Sequence, residues 1–342
     1  MNIFHEDQVA WLAQVDEDVI DADRPIIDPH HHLWPDLMGH VYNVDDYARD
    51  TDSGHRIIGS VFMECSSCYR EDGPEHLKPL GETEYVLAQA ARVAQEDLPT
   101  PILGMVGHVD LSDGEHREAA LDGHLELAGD FFKGIRHAGA CSPMADREQM
   151  VIPWDAPDDL FRQSSFREGV KALARRDLSF DSWFHHFQLG DYLDLAHACP
   201  DTVMVMDHFA CPLGVGSFAG RHDEIFPVWR KQMDELARCE NVFLKVGGLA
   251  MPDNGFGWHL ADRPPTSDEL LDTQGRWYHH ALDRFGAERC MFESNFPVDR
   301  TSLSYRVYYN AMKTLVAGAS ESEKTALFTG TAARVYRLPL PA

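Results

Sequence analysis

Along the chain, apolar runs of strand length alternate with longer stretches in which apolar positions recur every three to four residues. The first pattern reads as a buried strand, the second as the inward stripe of a helix. Eight strand runs stand out, over 25–28, 57–64, 102–108, 131–136, 179–185, 202–207, 242–246 and 289–293. Helical spacing is clearest over 82–95, 158–175, 188–198, 223–238, 267–285, 303–316 and 320–336. Strands that alternate with helices build a parallel sheet, and eight of them close it, so the expected fold is an α/β, (β/α)8 TIM barrel. No low-complexity linker or repeat divides the sequence, so 1–342 is expected to be a single domain with 1–24 as an N-terminal extension. Two connections are long, 211–222 and 250–266. Loops after barrel strands form the catalytic face, which makes both of them candidate pocket walls and 250–266 a candidate lid.

Composition adds mainly exclusions. Hydrophobic residues are 44% and charged residues 25% of the 342, the balance of a globular chain. The formal charge is −26, from 30 Lys and Arg against 56 Asp and Glu. Such a surface repels phosphate backbones and anionic lipid heads, so no nucleic-acid or membrane partner is expected. The first residues carry acids where a signal peptide is basic and then apolar, and no run approaches the roughly 20 apolar residues of a membrane span. A cytoplasmic location is the expectation. Seven cysteines, an odd number scattered along a long chain, fit reduced thiols, and Cys65-x-x-Cys68 without nearby ligands reads as incidental. The partner expected is a small-molecule substrate, with a homo-oligomer left open.

Candidate chemistry gathers at predicted strand ends. In Ile26-Ile27-Asp28-Pro29-His30-His31-His32, strand alternation puts Asp28, His30 and His32 on one face and His31 on the other. Two imidazoles from one strand can converge on a cation or hydrogen-bond a substrate carbonyl or carboxylate. His186 follows the fifth strand, with His185 the less favoured alternative, and His208 ends the sixth. Arg136 ends the fourth strand and Lys245 lies in the seventh, where either could neutralise a substrate carboxylate or pair with a buried acid. Glu64 ends the second strand, and Tyr69, Arg70, Arg221 and Trp258 lie in the connecting loops.

These features, together with Gly134-Ile135-Arg136-His137, Asp207-His208, Lys245-Val246-Gly247-Gly248-Leu249, Glu293-Ser294-Asn295-Phe296-Pro297-Val298-Asp299 and Gly330-Thr331-Ala332-Ala333-Arg334-Val335-Tyr336, resemble the amidohydrolase-2 family over nearly the whole chain. That family includes sugar-lactone and pyrone-dicarboxylate lactonases and metal-dependent decarboxylases of aromatic acids. The resemblance implies His30 and His32 as the first metal-ligand or carbonyl-polarising pair, with His186 and His208 as the fifth- and sixth-strand histidines. It implies one divalent cation, zinc or manganese, held by His30, His32, His186 and His208. Many relatives carry an Asp after the eighth strand as ligand and base, where this chain has Asn295. An amide accepts no proton and brings no charge to a cation. Glu293, two residues earlier on the same strand face, is the substitute base, with Asp299 and Glu64 as further candidates. The expected reaction is hydrolysis of a lactone or similar cyclic ester of a small carboxylated or hydroxylated molecule. A metal-dependent decarboxylase or lyase of an aromatic acid, and a ligand-binding barrel without catalysis, are the alternatives.

Overall fold

The computed structural model describes residues 7–37 and 40–339; the first six positions of the expected N-terminal extension lie outside the described residues. Eight parallel strands form one sheet in chain order: β1 Pro25–His31, β2 Arg56–Met63, β3 Ile102–Gly107, β4 Phe132–Arg136, β5 Ser179–Ser182, β6 Met204–Met206, β7 Val242–Val246 and β8 Cys290–Phe292. Residues just past β8 close the ring, where Asn295 N–H donates to the His30 carbonyl (3.0 Å) and His32 N–H to that of Phe296 (2.8 Å). A helix follows each strand: α1 Val44–Thr51, α2 Leu80–Gln95, α3 Arg117–Ala128, α4 Ser164–Ala174, α5 Leu189–Ala198, α6 His222–Leu236, α7 Ser267–Phe285 and α8 Tyr305–Leu315. The protein is therefore a single-domain (β/α)8 TIM barrel. No helix among the described residues is long and apolar enough to cross a membrane.

Strand alternation makes two apolar layers. Ile26, Phe62, Met105, Ile135 and Phe180 pack outward beneath the helices. Ile27, Val61, Met63, Val106, Val205 and Met291 fill the barrel interior, joined by Ala332, Ala333, Val335, Tyr336 and Leu338 of the C-terminal segment. The interior is thus a packed core plugged by the end of the chain, leaving only the carboxyl ends of the strands for chemistry.

The sequence reading differs at particular elements. α1 and α3 are not among the helices with the clearest spacing; the buried stripe of α3 is thin, reduced to Ala120, Leu121 and His124. β5 stops at Ser182 and the chain turns into a short 3-10 helix at His186–Gln188, so 183–185 is not strand. The final helix expected over 320–336 is broken into Glu321–Thr325, a π turn and Thr331–Val335. On β1 a register shift between Asp28 and His31 breaks the alternation. Asp28 is consequently not on the face of His30 and His32: its carboxylate accepts from Ser294, Tyr47 and Tyr305 in the outer layer.

Candidate active site

His30 and His32 leave β1 pointing into the barrel mouth with their Nε2 atoms 3.2 Å apart and rings edge to face. His32 Nδ1 lies 2.8 Å from the Met63 carbonyl, so that nitrogen carries the proton and Nε2 keeps its lone pair. His208 follows β6, its ring centroid 4.6 Å from that of His30. His208, Phe209, Ala210 and Cys211 are all left-handed, a run of strained non-glycine residues of the kind found at functional sites. The glycines after β7 make room: a Cβ on Gly247 would collide with Glu293, and one on Gly248, itself at φ 74°, with the His208 ring.

Glu293 sits just past β8, fully buried, between two imidazoles. Its Oε1 is 2.7 Å from His208 Nδ1 and its Oε2 2.8 Å from His30 Nδ1. Burial pushes its pKa up, countered by His208 and Lys245. Lys245 Nζ also approaches His30 Nδ1, at 3.2 Å, so a donor and an acceptor contend for one ring nitrogen. Burial, reinforced by Lys245, His208, His32 and Arg136, holds the His30 pKa well below the ordinary histidine range; burial and Arg136 do the same to His32. Both rings are neutral at physiological pH.

The two barrel cations are already matched by carboxylates. Lys245 is fully buried, 2.9 Å from Asp181 Oδ2 and 3.1 Å from Asp207 Oδ1, and these acids hold it charged against its burial. Arg136 binds Glu64 Oε1 at 2.7 Å and the Glu64 carbonyl, and its Nη1 is 3.4 Å from His30 Nε2. Arg70 and Arg221 in the loops face Glu84 and Glu224. The Tyr69 hydroxyl and the Trp258 indole N–H are buried without a hydrogen-bond partner among the described residues. Burial beside Glu64 and Glu82 raises the Tyr69 phenol.

His186 is not drawn into the ligand group. The early end of β5 leaves its ring on the wall, edge-on to Phe187 and Phe218, with Nδ1 accepting from Leu213 N–H at 3.3 Å. His185 bonds Ser142 Oγ at 3.1 Å. Asn295, in the left-handed region, donates to Asp299 Oδ1 at 3.0 Å, and Ala250 N–H to Oδ2 at 3.2 Å. Burial lifts Asp299 to about 7 despite His208, Asn295 and Ala250 pulling it down.

Two acids were not singled out in the sequence. Asp181 alternates with Ser179 on the inward face of β5, a signal available in the strand pattern. Asp207 stood in the Asp207-His208 motif, overshadowed by the histidine. Its carboxylate is fully buried; Oδ1 is ion-paired with Lys245 at 3.1 Å, but neither oxygen completes a hydrogen bond among the described residues. Ligand atoms of His30, Asp207 and His208 lie within 4.8 Å of one another. A buried carboxylate with coordination capacity to spare, beside imidazole nitrogens, is the donor set of a divalent cation. The 3.2 Å between the Nε2 atoms of His30 and His32 also matches the roughly 3.3 Å between two nitrogens on a tetrahedral ion with Zn–N near 2.0–2.1 Å. The residues present fit such an ion.

The Sinorhizobium fredii protein y4mH is 29% identical over 339 residues, covering 93% of this chain and all of that one. The L-fucono-1,5-lactonase of Burkholderia multivorans is 28% identical over 330 residues, covering 92% and 97%. Among solved structures, a zinc-bound amidohydrolase of Burkholderia multivorans superposes with a TM-score of 0.69 at 23% identity, covering 92% of this chain and 100% of that one. The family model described as amidohydrolase matches residues 27–338. With nearly the whole barrel matched, this chain belongs to the amidohydrolase family.

Proposed function

We propose that this hydrolase opens the cyclic ester of a small, uncharged, hydroxylated molecule. One observation carries the reading: three imidazoles share a barrel mouth in which the His208–Glu293 pair, 2.7 Å apart, forms a base dyad beside the His30–His32 pair. The lactone carbonyl oxygen lies against Nε2 of His30, whose ring is held by the His32 Nε2 lone pair 3.2 Å away. With Lys245 donating to His30 Nδ1, the His30 proton sits on Nε2 and is donated to that oxygen as charge develops on it. Water attacks the carbonyl carbon and yields its proton to His208 Nε2, while Glu293 stabilises the imidazolium through Nδ1. Collapse of the tetrahedral intermediate breaks the ring C–O bond, and His208 returns the proton to the departing ring oxygen. The product is a hydroxy acid. A divalent ion held by His30, His32 and Asp207 would take the place of the His30 Nε2 proton and supply Lewis-acid polarisation of the same carbonyl.

A hydroxylated rather than carboxylated substrate is supported by the charge pairing. Arg136 and Lys245, the expected carboxylate anchors, and the loop cations Arg70 and Arg221 each face a carboxylate of this chain. The relative named L-fucono-1,5-lactonase points the same way.

The test is a panel of sugar lactones, pyrone dicarboxylates and aromatic acids, followed by Glu293→Gln on any substrate turned over. The amide leaves His208 without its anionic partner, so kcat is expected to fall by about 10²–10⁴ with KM within a few-fold. Turnover of carboxylated substrates only would overturn the substrate class, and full activity in Glu293→Gln would overturn the dyad.

A further inference from the structure

The end of the chain reaches the imidazoles from below. Tyr336, at the close of the last helix, is fully buried in the barrel base, and its hydroxyl donates to Asp181 Oδ2. That oxygen also accepts from Lys245 Nζ at 2.9 Å, while Asp181 Oδ1 accepts from Ser179 Oγ at 2.7 Å. The Lys245 ammonium in turn lies over the Tyr336 ring, 5.5 Å from its centroid. Lys245 therefore stands between Asp181 beneath it and His30 Nδ1 above it, with Asp207 Oδ1 at 3.1 Å as a third acceptor, and all three share its N–H bonds.

We propose that Tyr336 is a positioning residue which, through Asp181 and Lys245, selects the tautomer of His30. His30 Nδ1 has two suitors: Lys245, which can only donate, and Glu293, which can only accept when ionised. When Lys245 donates, the ring proton is on Nε2, facing the mouth. When Lys245 withdraws toward Asp181, the proton moves to Nδ1 against Glu293 and the Nε2 lone pair is free for a cation, the arrangement in which a carboxylate orients a metal-bound histidine. The Tyr336 hydroxyl satisfies part of Asp181 and so weakens the downward pull on Lys245. The contest is decided in a dry interior where each of these contacts is strong. It stands on geometry alone and holds whatever substrate the mouth accepts.

Two substitutions push in opposite directions. Tyr336→Phe keeps the ring over Lys245 and removes only the hydroxyl, so Asp181 draws Lys245 down and His30 shifts toward the Nδ1–H form. Asp181→Asn removes the competing charge, so Lys245 rises and the Nε2–H form gains. The readout is the ¹⁵N shift pair of His30 in metal-free, ¹⁵N-histidine-labelled protein, which separates the tautomers without any turnover. Zinc titration is the second readout: about three- to tenfold tighter binding in Tyr336→Phe and about tenfold weaker in Asp181→Asn, in the range of outer-partner effects on metal sites. An unchanged His30 spectrum in folded Tyr336→Phe, or zinc affinity that drops in both variants, would overturn the proposal and leave Tyr336 as a plug. Should Asp181→Asn not fold, the Tyr336→Phe spectrum alone decides.

Discussion

At the scale of single residues, the site is built from groups whose neighbours decide their protons. Glu82 illustrates how strongly. It is buried at the start of α2, where Oε1 accepts from Cys65 N–H (3.0 Å) and Ser67 N–H (2.9 Å), while Oε2 has no partner among the described residues. Burial, with Glu64 adding repulsion, lifts its pKa to about 8. An acid with a raised folded-state pKa binds its proton more tightly folded than unfolded. Its contribution is favourable below about 4.5 and is lost as pH rises from there through about 8. Glu82→Gln keeps an oxygen for both N–H groups and never charges. Its thermal midpoint should match the parent at pH 5 and exceed it by a few degrees at pH 8.5; equal midpoints across that range would count against the buried charge. His30, His32, His208, Glu64, Arg136, Lys245 and Glu293 were all legible in the sequence, because strand ends project side chains into the mouth and those residue types suit chemistry. The partner of each was not legible. Arg136 could have met a substrate carboxylate or Glu64, and only the separation of β2 from β4 decides it.

At the scale of elements, the loops after β4, β6 and β7 are stitched into one wall. Asp146 accepts from Ser217 N–H and Oγ, and Asp253 from Val151 and Ile152 N–H at 2.7 and 2.9 Å. Asn254 reaches the Pro212 carbonyl, and His222 bonds the Asn254 carbonyl while stacking on Phe256. Two of these loops were expected as pocket walls from their length alone; that they clasp each other follows from side chains far apart in sequence. Asp253→Ala strips two backbone donors of their acceptor, at roughly 1–3 kcal/mol for buried groups. Amide exchange over 142–156 should accelerate at least tenfold, with the global thermal midpoint lowered by only a few degrees. Exchange confined to parent rates would show that Asp253 does not hold the wall.

At the scale of the whole molecule, the division of labour among the histidines is testable with the metal itself. Zinc binding to the folded state raises stability by about 2.7 kcal/mol at a hundredfold excess over Kd. If His30, His32 and Asp207 hold the ion and His208 serves as base, zinc should raise the thermal midpoint of His208→Ala as it does the parent, fail to raise that of His32→Ala, and be reversed by a chelator. Loss of the shift in His208→Ala would move that residue into the ligand set. What the sequence determined by itself was the architecture: eight apolar runs of strand length, alternating with stretches of 3.6-residue periodicity, specify a barrel, because each pattern is dictated by which face must be buried. It also placed the chemistry at the strand ends. What only the tertiary structure decided was the pairing: that β5 stops short and leaves His186 on the wall, that Asp207 joins the imidazoles, and that Tyr336 returns from the far end of the chain to Asp181. Such contacts link residues up to 297 positions apart. No local pattern records them, because they depend on how the ring closes and on which buried charge finds which partner first.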